Sequence, residues 1–132
     1  MTTLRAIGLL CLLTTTTVVA QDAPRAGVAA WDTGTSSAES LSADAVENKA
    51  GWAKVEGALK TGELKGDLAV TNGRLLVVAR RKGSGLELYS LRSGKPIYRS
   101  RLLPASSGAL ESLALTELGR GAAVLELGWK GV

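Results

Sequence analysis

The chain has no histidine and no phenylalanine, one cysteine and only three prolines in 132 residues. Without imidazole, and with its thiol at Cys11 inside the N-terminal apolar stretch, it lacks the parts of a Ser-His-Asp or Cys-His nucleophile and of an ordinary zinc site. A lone cysteine excludes an intrachain disulfide. Secretion permits disulfides without requiring them, so this absence does not argue against export. Gly94-Lys95 runs into Pro96 with no glycine at the P-loop spacing before it, which excludes that phosphate cradle. No cofactor or metal is expected.

Aromatic residues are also few: Trp31, Trp52, Trp129, Tyr89 and Tyr98. The core must therefore come from leucine, valine and alanine. Trp52, Tyr89, Tyr98 and Trp129 are the candidates for a sugar-stacking set, but core packing explains them more simply. Glycine is abundant at 16 residues, which suits many turns rather than long helices.

Met1–Ala20 has the three parts of a secretory signal peptide. Arg5 supplies the positive start, Ala6–Val19 the apolar run, and Val18-Val19-Ala20 a small-residue cleavage site before Gln21. The run is short for a membrane span and is interrupted by Thr14–Thr17. Bulky Leu10 before Cys11, and the apolar residues after it, argue against lipid attachment there. A secreted, periplasmic or cell-envelope location is expected, with no stable transmembrane segment once the leader is removed.

Residues 21–50, rich in Ala, Ser, Thr and Gly, read as a flexible spacer with too little apolar surface to offset its ordering entropy. Inside it, Ser36-Ser37-Ala38-Glu39 has capping-box spacing and points to a short helix over 38–49, with Gly51 just past its end. Trp31 stands alone there, as a docking anchor or tucked onto the domain.

Residues 51–132 read as the folded, β-rich part. Trp52–Leu59 is a candidate strand. Asp67–Thr71 and Arg74–Arg80 flank Asn72-Gly73, a strong hairpin signal, because a type I′ turn needs positive φ at both central residues. Leu75–Ala79 is apolar without alternation, as in a strand covered on both faces. Leu86–Leu91, Pro96–Leu103, Leu110–Thr116 and Ala122–Trp129 follow. Ala123, Leu125, Leu127 and Trp129 share one face of the last strand by period two. The expected fold is mostly β: a small antiparallel meander or sandwich of five or six short strands after the leader and spacer. Leu86–Leu91 and the following Arg92–Arg99 resemble the strand–turn–strand of one β-propeller blade. One blade cannot close a propeller, so the resemblance implies no site residues, and it raises the expectation that the chain is part of something larger.

For catalysis only carboxylates and hydroxyls remain. Glu63 with Asp67, or Glu87 with another acid, are the candidates for a glycosidase-like pair. The plainer expectation is that they are solvated strand and turn residues, and that the protein is not an enzyme. The one positive signal is charge. From Arg74 to Arg101, Arg74, Arg80, Arg81, Lys82, Arg92, Lys95, Arg99 and Arg101 are set against Glu87 alone. Arg80, Arg81, Lys82, Arg92, Lys95, Arg99 and Arg101 are accordingly the candidate anion-binding residues. Their alternative role is solubility and protection of strand edges. The Arg80–Lys82 and Arg92–Lys95 turns close opposite ends of the meander, so they need not form one patch. The expected function is an exported, non-catalytic binding or structural domain. Its expected partner is an anionic polysaccharide or envelope surface, ahead of nucleic acid. The alternative is an accessory or N-terminal β-domain of an extracellular carbohydrate-active enzyme.

Overall fold

The computed structural model describes residues 27–82, 85–92, 95–105 and 108–130. The expected signal peptide lies outside them. The described chain is mostly β. Its elements are β1 (Ala29–Asp32), a short helix α1 (Ala43–Asn48), β2 (Ala53–Val55), a 3-10 turn (Thr61–Glu63), β3 (Leu68–Thr71), β4 (Leu75–Arg80), β5 (Gly85–Ser90), β6 (Ile97–Leu102), β7 (Leu110–Leu118) and β8 (Ala123–Trp129).

Strands β3 to β6 form the expected meander, each hydrogen-bonded antiparallel to the next. The full sheet has six strands in the order β2-β1-β3-β4-β5-β6, and β7 with β8 form a separate two-stranded ladder. At the β3–β4 turn only Gly73 has positive φ, at 87°, while Asn72 does not. The turn is therefore not type I′. Instead, the Asn72 side-chain oxygen accepts from the backbone N–H of Arg74 and of Leu75, both at 2.9 Å. That side chain closes the turn without itself adopting the left-handed conformation.

Alternation along β3, β4 and β5 sorts side chains to two faces. On one face Leu68, Val70 and Ala79 join Ala30, Val55, Leu64, Leu113 and Leu115, so the β7–β8 hairpin packs there. Ala123, Leu125 and Leu127 of β8 pack on the same cluster, along the face predicted from their period. On the other face Ala69, Leu76, Val78 and Tyr89 pack with Val46 of α1, with Leu41 and with Trp52. Strand β4 is covered on both sides from Leu76 onward, while Leu75 at its start stays exposed. The hairpin is pinned by a pair of backbone hydrogen bonds between Leu59 and Leu115, of 2.8 and 2.9 Å. The Thr61 hydroxyl donates to the Leu113 carbonyl and accepts from the Leu113 N–H.

Part of the expected spacer is built into the fold. Ala29–Asp32 lies between β2 and β3, paired on both edges. Its order comes from ladder bonds to distant strands, which local hydrophobicity does not register. The Asp32 carboxylate fixes the next crossing by accepting from the backbone N–H of Gly34, Lys65 and Gly66 at 2.7–2.8 Å. The expected helix over 38–49 is shorter and starts later. Ser42, not Ser36, caps it by accepting from Ala45 N–H, and Lys49 ends it with φ 50°. Nor is Trp31 isolated. The Lys49 ammonium lies 5.1 Å from its ring centre and 5.9 Å from that of Trp52, in range of a cation–π attraction.

Candidate functional site

The basic centre divides into residues that the fold uses internally and residues that face solvent. Arg80 ends β4 on the α1 side of the sheet and is fully buried, with 0% exposure. Its Nε donates to Asp67 at 2.8 Å and its Nη1 to Glu87 at 2.6 Å. Its Nη2 donates to the backbone carbonyls of Ser37 and Glu39, each at 2.6 Å. Glu87 is equally buried and also accepts from Tyr89 Oη at 2.7 Å, from Ser40 Oγ at 3.1 Å and from Arg101. Asp67 also accepts from the backbone N–H of Arg81. Two guanidinium groups thus face two carboxylates, and the cluster is close to neutral.

This arrangement corrects the expectation that Asp67 and Glu87 are solvated. Both are interior because Arg80 is interior, and a buried guanidinium without counter-charges would be prohibitively costly. Burial opposes ionisation of Glu87, but the hydrogen bonds from Arg101, Tyr89 and Arg80, with the Arg80 charge, outweigh it and hold its carboxyl below the ordinary value. Burial likewise opposes the Arg80 charge, and its two acidic partners overcome this and raise its pKa. Tyr89 is pushed up to about 12 by burial and by its hydrogen bond to Glu87. Arg80 is therefore a strut that ties the segment before α1 to the sheet, and its charge is not presented to solvent. Arg101 is engaged on Glu87 but keeps about a quarter of its side chain exposed, at 28%.

The other candidates face outward. Arg81 is half-buried, and Lys82, Arg92, Lys95 and Arg99 are exposed. Arg92 and Lys95 lie at the β5–β6 turn, the opposite end of the meander from Arg81 and Lys82. Lys95 lines a shallow groove there with Lys49 and Glu47. Arg81 and Lys82 share a different groove, of about 320 Å³, with Lys65, Ser36, Thr61, Glu111 and Ser112. It opens between the β4–β5 turn and β7. The Arg81 guanidinium donates to the Leu64 carbonyl at 2.9 Å, which orients it without neutralising it. Among the described residues the three ion pairs all belong to the Arg80–Glu87 network, so no cation of this groove is in one. Three cations and the hydroxyls of Ser36 and Ser112 can hold the oxygen atoms of an anion by charge and by hydrogen bonding, opposed by the one carboxylate, Glu111, while the Thr61 hydroxyl is already donated to Leu113.

Lys65 was not among the expected site residues. It precedes the meander by a short interval, and nothing in its neighbourhood marks it as a partner of Arg81. The tyrosines stack as packing residues: Tyr89 and Tyr98 meet edge to face with centroids 5.6 Å apart. Among the described residues no cluster of His, Cys, Asp or Glu could hold a metal ion. Among the same residues no helix is long and apolar enough to cross a membrane.

No family model matches the chain, and neither a curated protein nor a solved structure shows significant similarity to it.

Proposed function

We propose that this chain is an exported, non-catalytic β-domain that binds an anionic polymer or envelope surface through the groove of Lys65, Arg81 and Lys82. The observation that carries the reading is the gathering of these three cations around one groove, without an ion-paired acid to neutralise them. A groove of one dominant sign concentrates opposite charge and gives binding that weakens as salt screens it. The nearby hydroxyls suit carboxylate or sulfate oxygens on a polysaccharide. The binder would act outside the cell, in the periplasm or at the envelope, in keeping with the leader-like start of the chain.

The test is retention of the full chain on an immobilised uronate or sulfated polysaccharide across a sodium chloride series. Lys65→Ala and Lys82→Ala should each lower affinity severalfold and flatten its salt dependence, with Arg99→Ala as the control. Absent binding, salt-insensitive binding, or binding indifferent to both groove variants overturns the reading. A second reading, an accessory domain of an extracellular carbohydrate-active enzyme, is favoured by one feature: the long exposed edge of the sheet at β6. On that reading the domain is stable only beside its partner.

A further inference from the structure

The six-stranded sheet ends in two unlike edges. β2 is three residues long, whereas β6 is six, and among the described strands β6 pairs only with β5. Its outer row of N–H and C=O groups is a template for another strand. Four large apolar residues that are exposed in this molecule fall on or beside this edge: Ile97 at 38%, Tyr98 at 46%, Leu102 at 53% and Leu103 at 62%. A six-residue edge with that much apolar surface is the arrangement natural sheets usually avoid.

The register shows what chemistry would fit. Leu102 lies opposite Leu86 and Ile97 opposite Ser90, on the hairpin face. Arg101 lies opposite Glu87 and Tyr98 opposite Tyr89, on the α1 face. Arg99 is the extra residue at an irregularity between these pairs, and it is exposed. Directly opposed residues share a face, so an added strand would meet apolar side chains on one face and Tyr98 with the partly exposed Arg101 on the other, with Arg99 exposed at the irregularity between them. Arg101 also has a buried Nε with no acceptor.

From this we infer that β6 is a docking edge for an extended peptide segment that alternates apolar and acidic residues. Its apolar side chains would cover Ile97 and Leu102. Its carboxylates would face Arg99 and Arg101, and its backbone would extend the ladder. A second copy of this chain is the poorer occupant. Antiparallel β6–β6 pairing brings the two exposed Arg99 side chains to one junction with no acid on the strand to offset them, Glu87 being already engaged by Arg101 and Arg80, and like charges placed opposite destabilise a pair. The proposal does not depend on the groove of Lys65, Arg81 and Lys82.

The probe is a synthetic peptide of alternating valine and glutamate, with a valine–lysine peptide as its counterpart. Binding to the full chain is followed by fluorescence anisotropy, and its place by amide hydrogen exchange. The glutamate peptide should bind and slow exchange at Tyr98–Leu102. Arg99→Glu should weaken it severalfold, the scale of an exposed charge contact, and should admit the lysine peptide instead. Leu102→Asp should abolish it. Both side chains are exposed and outside the buried network, so both variants should fold, and circular dichroism checks this. Several outcomes would each overturn the proposal. These are no binding, equal affinity for the two peptides, protection elsewhere, loss of binding in Lys82→Ala, or concentration-dependent self-association that protects the same amides.

Discussion

Arg80 and Glu87 show how a charged residue becomes structural. Each is sealed from water, and each has its charge matched by hydrogen bonds from more than one element. Removing one member leaves the others buried and unpaired, which typically costs about 3–5 kcal/mol, more than the intact network contributes relative to an apolar core. Glu87→Ala removes an acceptor from Arg80, Arg101 and the Tyr89 hydroxyl together, leaving the buried Arg80 with Asp67 as its one counter-charge. Urea titration should show that loss, with Glu87→Gln intermediate because the amide oxygen still accepts. An unchanged midpoint for Glu87→Ala would mean that the network is not closed as described. Lys82 and Arg99, which lie outside it, should each change stability little.

At the scale of elements, the contact between the segments after β1 and before β3 is tight. Gly66 donates its N–H to Asp32, and a Cβ built on it would lie 2.6 Å from both Thr33 Oγ1 and Thr35 O. One of those atoms is backbone, so the neighbourhood cannot simply turn aside. Gly66→Ala should therefore destabilise by about 1–3 kcal/mol, the usual cost of forced overpacking. Gly57→Ala, where nothing lies within 4 Å, is the comparison. Thermal melts of the two variants decide it. Equal midpoints would show that the crossing relaxes freely. The helix is a weaker element. It has six residues and one buried side chain, Val46, so tertiary contacts hold it rather than propensity.

At the scale of the whole molecule, one sheet carries a hairpin on one face and a helix on the other. The charged network sits on the α1 face, so its titration should be felt in global stability. The Glu87 and Asp32 carboxyls are held below their ordinary values of 4.5 and 3.8. For Asp32, burial opposes this and the N–H groups of Lys65, Gly34 and Gly66 outweigh it. A lowered acid pKa stabilises the folded state above the unfolded pKa, and that stability is lost as pH falls through the folded value. The unfolding midpoint should thus drop once pH passes below the ordinary carboxylate range. Tyr89 has the opposite sign. Raised from 10.0 to about 12, it contributes fully below pH 10, and the contribution is lost as pH rises toward 12. Denaturant midpoints against pH, with Tyr89→Phe to remove the alkaline limb, check both ends. A profile flat from pH 3 to 12 would contradict the network.

The sequence by itself determined the strands that carry their own signal. The apolar run Leu75–Ala79, the period-two face of Ala123–Leu127 and the turns between strands are local patterns, and burial on one or both faces of a sheet produces them directly. It also determined that positive charge collects around the meander. Only the tertiary structure decided which of those charges remain available. Arg80 and Arg81 are neighbours in sequence, yet Arg80 is the last residue of β4 and enters the interior, while Arg81, the first residue of the turn, reaches a groove. Lys65 joins that groove, and Asp67 and Glu87 become buried, through contacts between segments far apart in the chain. Ala29–Asp32, whose apolar run is only Val28–Trp31 and is half alanine, became an inner strand for the same reason. Backbone pairing with β2 and β3 supplies order that a local reading of side chains cannot register.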